Sequence, residues 1–441
     1  MQPFKTTAAF CAAVICTTLS LAGCAVKRYR PTPVSPAQTA ASLESRSLGD
    51  PGLRDFITRV QSAPATWPLP EWNLANLTLS AFYYNPALQV SRKRLSEAEA
   101  AVITAGARPN PSVRADLGGE TAPESPWIAG LGFSLPIETA GKRRYRITDA
   151  ERLTDIARWN LASAAWNVRA QVRSALLDYV AAKQSLDLLQ EEERLRAEQV
   201  VLLEQRLAVG MIPRPEVDTA RIQHTQTLLA FRAAESRVSQ TKAALAAAVG
   251  VPTSALKDLK LLWPGFEEPP SAAALSPATI QEDAVLNRLD VRQALAEYSE
   301  SEAALQLEIA KQYPDLDLGP DYAFEEGAHL FSVALGLALP VFNRNQGPIA
   351  EAKARRDRTA AQFLAVQASG IAQSEQALAK YSGALNELAE AQRLVQQSRT
   401  QQEATQKALV AGASDRVALN GAQLHSFPTR RSSDLDRKSV V

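Results

Sequence analysis

Cys24 carries the clearest chemistry in this 441-residue chain. Leu21-Ala22-Gly23-Cys24 closes an apolar run, Ala8 to Ala22, that follows Lys5. A positive start, a short apolar stretch and small residues before a cysteine match a bacterial lipobox. In such a segment the leader is removed and the thiol takes a diacylglyceryl group. The run is too short to cross a bilayer as a helix. Two or three acyl chains anchor a protein stably where one does not. Ala25 follows the cysteine, and the lack of an acid there favours export to the outer membrane. The competing reading is an ordinary secretory leader in which Cys24 is incidental. Cys11 and Cys16 fall inside the leader, so the mature chain has no thiol pair for a disulfide and its fold rests on packing.

The other reactive side chains point to less. His224 and His329 are far apart, and no histidine or cysteine spacing of a metal site exists. Asp315, Asp317 and Asp321 alternate and could line a lumen or hold a hard cation, with plain solvation the preferred reading. Glu191, Glu192 and Glu193 read as a wet helix face. Lys142-Arg143-Arg144-Tyr145-Arg146 is basic but sits in no nucleic-acid recognition pattern. There is no glycine-rich phosphate loop and no nucleophile constellation. The expectation is no catalytic residue, no cofactor, no metal ligand set and no nucleic-acid partner.

His425 to Leu435 resembles a translated sequencing adapter, and Asp436 to Val441 its reverse complement. Residues 425–441 are therefore expected to be foreign to the fold. They carry a net charge of +2 and the leader carries +1, so the overall +1 becomes −2 for residues 24–424. A near-neutral chain has no global electrostatic reason to bind nucleic acid.

Residues 85–210 occur twice, about 203 residues apart. Asn85-Pro86-Ala87-Leu88 aligns with Arg288-Leu289-Asp290-Val291, and Pro111-Ser112-Val113 with Pro314-Asp315-Leu316. Phe133 to Ile137 aligns with Leu337 to Val341, and Leu207 to Gly210 with Leu409 to Gly412. A unit this long is no solenoid repeat. It predicts two halves related by a pseudo-twofold axis: 71–259 and 279–424, the second truncated, with 260–278 as linker. Residues 24–70, rich in Pro, Ser, Thr and Ala, read as an extended, lipidated tether after the leader 1–23.

Each half opens with a helix; Asn85-Pro86 is a start signal, and Pro109 and Pro111 are stops. Two strands follow, expected over 112–119 and 127–137, then 315–324 and 329–339. Trp127, Leu131, Phe133 and Leu135 alternate with small residues, as do Phe331, Val333, Leu335 and Leu337. Strands of about 9–11 residues cross a bilayer when tilted. The alternative is a two-stranded sheet packed on a soluble core. Long helices come next. Residues 139–209 hold no proline, and Leu161, Ala164, Val168, Val172, Ala175, Tyr179, Ala182, Leu186 and Leu189 step by three or four, as a coiled-coil seam does. Residues 348–411 repeat the design. Gly210 ends the first long helix, Pro213 and Pro215 shape the turn, and a return helix over 216–249 begins with Glu216 in its first turn.

Four strands cannot close a barrel, and open edges are not tolerated in lipid. If the strands enter a membrane, several copies must pool them; three copies give twelve strands, an even number of the kind outer-membrane barrels use. This pattern resembles the TolC-like outer-membrane efflux family over essentially residues 70–424. Arg206 to Arg221, RLAVGMIPRPEVDTAR, is similar to the family's helical tip. Leu339 to Ala352, LPVFNRNQGPIAEA, and Ile137 to Arg143, IETAGKR, resemble the barrel-to-helix junctions of the CzcC-like heavy-metal branch.

The resemblance implies an α+β membrane fold: a homotrimer with a 12-stranded β-barrel continued by a long α-helical barrel. It implies a passive duct for a tripartite pump in the outer membrane of a Gram-negative bacterium, lipid-anchored and reaching into the periplasm. Its partners would be a periplasmic adaptor (membrane fusion) protein, an inner-membrane pump of the resistance-nodulation-division class, and outer-membrane lipid. Val209, Gly210, Met211 and Pro213 would form one adaptor-contact tip, and Ala411, Gly412 and Ser414 the other. Trp127, Leu131, Phe133, Leu135, Phe331, Val333, Leu335 and Leu337 would face lipid. Heavy-metal cations are the implied substrate. Drug efflux or type I secretion is the alternative within the class, and a non-pore periplasmic coiled-coil lipoprotein or adaptor is the alternative outside it. Some members carry paired acids beyond the second tip as a gate. Val417-Ala418-Leu419-Asn420-Gly421 has none, and Asp415 reads as a solvated turn residue.

Overall fold

The computed structural model describes residues 27–61, 64, 66–119, 127–257, 259–263, 276–325 and 328–427. The leader, Cys24 and residues 428–441 lie outside these. Of the described residues, those from Lys27 to Arg46 form a unit of their own, in which helix α1 (Pro36–Glu44) is exposed along its length. Everything that follows belongs to the second unit.

Residues 47–61 are not a tether, which corrects the extended reading of 24–70. Helix α2 (Pro51–Val60) starts where Asp50 accepts the Leu53 N–H at 3.0 Å and Pro51 presets the first turn. Leu53 and Ile57, one turn apart, are fully buried. Strand β1 (Glu71–Trp72) and helix α3 (Leu74–Tyr84) come next. Asn85 ends α3 and starts helix α4 (Pro86–Ala105): its Oδ1 accepts the Ala87 N–H at 2.9 Å, and its Nδ2 donates to the Ala248 carbonyl at 3.1 Å.

Strands β2 (Ser112–Gly119) and β3 (Trp127–Ile137) lead into helix α5 (Lys142–Ala208), whose 67 residues extend about 100 Å at 1.5 Å per residue. Helix α6 (Arg214–Val249) returns along it. Gly250 closes α6 at φ +87°, and a Cβ there would lie 3.1 Å from the Tyr84 carbonyl carbon and oxygen, so glycine is needed for conformation and for space. A short 3₁₀ turn (Thr253–Leu256) precedes strand β4 (Lys260–Leu261), which pairs in parallel with β1. The start of the expected linker is thus structured. Leu261 and Trp263 pack on a core built from Leu48, Leu53, Ile57, Trp72, Leu77, Val172, Leu176, Leu245, Val249 and Leu256. Four stretches of sequence meet there, which is why no single stretch announces it.

The second half holds helices α7 (Pro277–Leu286) and α8 (Leu289–Ala310) and strands β5 (Leu316–Glu325) and β6 (Ala328–Leu337). Helix α9 (Gln346–Val410) follows with 65 residues, and helix α10 spans 416–427. β6 ends two residues before the expected 339. Asn345 precedes α9 at φ +60°, as Gly141 precedes α5 at φ +71°, so the duplication extends to a left-handed residue 204 positions on. Helix α10 runs past the expected break at 425: Phe427 is buried with Leu424 and Leu195. Residues 425–427 therefore belong to the fold, because Leu424 and Phe427 are one helical turn apart and share a face.

Candidate membrane sheet, junction and helical tips

The sheet order is β2-β3-β5-β6, antiparallel throughout. Directly opposed residues share a face. Phe133 opposes Val113, Leu131 opposes Ala115 and Tyr322, Leu135 opposes Leu318, and Leu318 opposes Leu335. Phe331 opposes Tyr322 and Leu337 opposes Leu316. One face is therefore a continuous apolar surface. Leu131, Phe133, Leu135, Phe331, Val333, Leu335 and Leu337 are all exposed on it, Phe331 at 82 % and Leu335 at 69 %. The backbone of Trp127 pairs with Gly119; its side chain lies outside the described residues.

The opposite face is small and polar: Arg114, Asp116, Gly130, Gly132, Ser134, Asp317, Asp321, Ser332 and Gly336. Arg114 pairs with Asp116 at 2.9 Å and reaches over β3 to within 3.9 Å of Asp321. Gly132 lies beneath it, where a Cβ would come within 2.4 Å of Asp321 Oδ1. The β3–β5 ladder is interrupted between the pairs Gly132–Asp321 and Leu135–Leu318. Pro320 has no N–H to give, and a Cβ on Gly319 would lie 1.5 Å from the Phe133 carbonyl oxygen. Among the described residues β2 and β6 each have one partner, so both sheet edges are open.

Asp315 does not alternate along the strand with Asp317 and Asp321. It precedes β5 and belongs to the junction below the sheet, which corrects its reading as a lumen residue. Its Oδ1 accepts from Lys142 Nζ at 2.8 Å and from the Thr139 N–H at 2.9 Å. Burial pushes its carboxyl up, but the bonds from Lys142 and Thr139 outweigh this and hold it below the usual aspartate range. The basic run that opens α5 is spent here. Arg143 donates to the Gly106 carbonyl at 2.7 Å. Arg146 pairs with Glu138 and donates to the Ala105 and Ala107 carbonyls at 3.0 and 3.1 Å. These cations satisfy the orphan carbonyls at the end of α4. Sequence reading missed this role because the partner carbonyls lie about forty residues away.

Deeper in the helices, Asp149 on α5 and Glu300 on α8 approach Arg355 on α9. Glu300 lies 3.3 Å from Arg355, and burial first, with Asp149 nearby, pushes its carboxyl up. Glu192 is only 5 % exposed and faces Arg196 at 4.0 Å, so the three-glutamate run is not uniformly wet. Glu191 does face solvent and pairs with Arg194, while Glu193 meets His224 at 2.8 Å. Helical geometry spreads three consecutive residues around the cylinder, so they cannot share one face.

Both tips follow the same backbone recipe. Gly210 and Gly412 take φ +73° and +72°. The N–H of Met211 bonds to the Arg206 carbonyl at 2.9 Å, and that of Ala413 to the Ala408 carbonyl at 2.8 Å, each a six-to-one helix stop. Nothing lies within 4 Å of a Cβ built on either glycine. Val209 and Met211 are exposed at 70 and 74 %. Pro213 precedes α6, Ala411 ends α9, and Ser414 lies in the second turn. Asp415 is more than a solvated turn residue. It accepts the Ala418 N–H at 2.8 Å, capping α10, and pairs with Arg206 of the first hairpin. The Ala418 bond first, then Arg206, outweigh slight burial and hold its carboxyl below the usual range.

Among the described residues no group of three or more His, Cys, Asp or Glu could hold a metal ion, and no helix is long and apolar enough to cross a membrane. An internally duplicated chain with a four-stranded antiparallel sheet and long helical hairpins has the fold of TolC-like outer-membrane channels. It matches the outer membrane efflux protein family over residues 80–251 and 280–439, and it belongs to that family. It is 26 % identical over 280 residues to the cobalt-zinc-cadmium resistance protein CzcC of Cupriavidus metallidurans, a match covering 63 % of this chain. The chain spans 65 % of that relative's length. The outer membrane protein VceC of Vibrio cholerae superposes with a TM-score of 0.66 at 17 % identity, over 83 % of this chain and 93 % of that one. The CmeC outer membrane channel of Campylobacter jejuni gives 0.67 at 14 % identity, over 94 % and 91 %. At such identities the likeness is one of fold.

Proposed function

We propose that the protein is the outer-membrane duct of a tripartite efflux system and works as a homotrimer. The observation that carries this is the sheet: one face apolar and exposed, the other small and charged, both edges open. Such a sheet is stable in lipid only when neighbouring copies complete a closed cylinder. Leu131, Phe133, Leu135, Phe331, Val333, Leu335 and Leu337, with Trp127, then face lipid, and the polar face lines the conduit. The exposed tips, Val209, Gly210, Met211 and Pro213 with Ala411, Gly412 and Ser414, meet a periplasmic adaptor, which connects the duct to an inner-membrane pump. Heavy-metal cations are the favoured substrate, supported by the likeness to a cobalt-zinc-cadmium resistance protein. Cys24 carries the lipid anchor.

The purified protein should run as a heat-modifiable trimer in detergent and give discrete conductance steps in a planar bilayer. Soluble monomers after lipid removal would favour the non-pore periplasmic spacer instead. Deleting the gene should raise sensitivity to cobalt, zinc or cadmium; sensitivity to drugs alone would overturn the metal assignment. Intact-mass analysis of a Cys24→Ser chain should show the loss of the acyl mass.

A further inference from the structure

The duplication supplies an internal comparison for the place where two copies would meet. Within the chain, the β3–β5 boundary is sealed below the sheet by the segment after β3. Thr139 donates through its N–H to Asp315 and through its hydroxyl to the Pro314 carbonyl, and buried Lys142 donates to Asp315. The same segment recurs after β6, with α9 starting at Gln346 as α5 starts at Lys142. Phe342, Asn343 and Gln346 therefore take the places of Glu138, Thr139 and Lys142. On the receiving side, Pro111, just before β2, and Ser112, its first residue, take the places of Pro314-Asp315 before β5.

Neither half of this second seam is covered. Phe342 is 96 % exposed, Val341 is exposed beside it, and Asn343, Gln346, Pro111 and Ser112 are exposed too. They stand at the two open sheet edges. Antiparallel pairing of β6 with the β2 of a neighbour would set the end of β6 beside the start of that β2, as Ile137 at the end of β3 stands opposite Leu316 at the start of β5.

We propose that Phe342, Asn343 and Gln346 of one copy dock on Pro111-Ser112 of a second copy, repeating between chains the seam that Thr139 and Lys142 make with Pro314-Asp315 within one. The proposal rests on closure of the sheet by several copies. Its chemistry differs from the internal seam in one respect. Gln346 stands for Lys142, Ser112 for Asp315, Phe342 for Glu138 and Ala350 for Arg146, so these four charges are replaced by neutral groups, while Arg344, where the internal seam has Ala140, turns back to donate to the Pro340 carbonyl at 3.3 Å. A seam made on folding can bury an ion pair whose halves arrive together. A seam made on association would have to strip water from two separately solvated charges. An apolar ring and amides avoid that desolvation.

The test uses the full chain with Asn343→Cys and Ser112→Cys together; beyond Cys24 the sequence has no other cysteine. Oxidation of the purified trimer should give covalent dimers and trimers on a non-reducing gel, at least fivefold above either single substitution, since a disulfide needs its two Cα atoms within about 7 Å. A trimer by native mass that does not cross-link overturns the docking while leaving closure standing; a protein that stays monomeric overturns both. Phe342→Glu gives a second readout. The heat-modifiable trimer should dissociate at a temperature at least 5 °C lower, and an unchanged temperature overturns the role given to Phe342.

Discussion

At the scale of single residues, space and charge decide what each position tolerates. Gly319 has no room for a side chain, because the Phe133 carbonyl occupies the site of its Cβ. Gly319→Ala must push β3 and β5 apart, a cost of about 3 kcal/mol, the upper end of the scale of core overpacking. The fraction of folded protein resisting heat on a gel should fall accordingly. Glu300 is the opposite case, a carboxylate that burial penalises. The folded chain holds its proton more tightly than the unfolded chain. The stability it contributes is full below the ordinary glutamate range and lost as pH rises through the raised folded value. Glu300→Gln should therefore raise the melting temperature at pH 7, leave it nearly unchanged at pH 4, and flatten the dependence between. Calorimetry across that range checks the sign. Arg355, half-exposed, remains solvated without its partner.

At the scale of elements, the junction between sheet and helices is held by cations of the first half: Lys142 reaches the Asp315 carboxylate of the second, and Arg143 and Arg146 reach backbone of their own half. Lys142 is nine-tenths buried, and Asp315 is its acceptor. Asp315→Asn should cost about 1–2 kcal/mol, less than a fully buried pair because the aspartate is partly exposed. Asp315 titrates below its ordinary range, so its contribution is present above that range and is lost as pH falls through the lowered folded value. Wild type and Asp315→Asn should thus converge in melting temperature under strong acid. The two helix-ending glycines separate conformation from space. Gly210→Ala meets no neighbour and bears only the left-handed penalty of about 1 kcal/mol. Gly250→Ala adds a collision with the Tyr84 backbone and should destabilise more, by the same thermal measurement. The alternation of β3 and β6 and the unbroken run of α5 were legible because each is a periodicity over neighbouring residues. Helix α2 was not, since its Asp50-Pro51 start sits in Pro- and Ser-rich surroundings and its burial depends on Leu176 and Leu245 far along the chain.

At the scale of the whole molecule, the two faces of the sheet should respond oppositely to the same substitution. Leu335→Lys puts a charge on the exposed apolar face, at a cost of about 2–4 kcal/mol at mid-bilayer depth. It should abolish the heat-modifiable trimer. Ser332→Lys places the same charge on the polar face and should leave assembly intact while changing the conductance. Equal tolerance of both would remove the lipid-facing assignment. The candidate surfaces divide in the same way. The apolar stripe and the glycine tips could be read from residue order. The pairing of Arg206 with Asp415, the burial of Glu192 and the use of Arg143 and Arg146 as clamps on the end of α4 could not.

Residue order alone settled the duplication, the period of two in the strands, the length of the helices and the glycines that stop them. Each of these follows from backbone geometry and side-chain direction within a few successive residues. Tertiary structure alone decided which charges meet, which glutamate is dry and that residues 47–61 join the core. Those outcomes depend on segments from tens to more than two hundred residues apart coming within a few ångströms, and no local pattern encodes that approach.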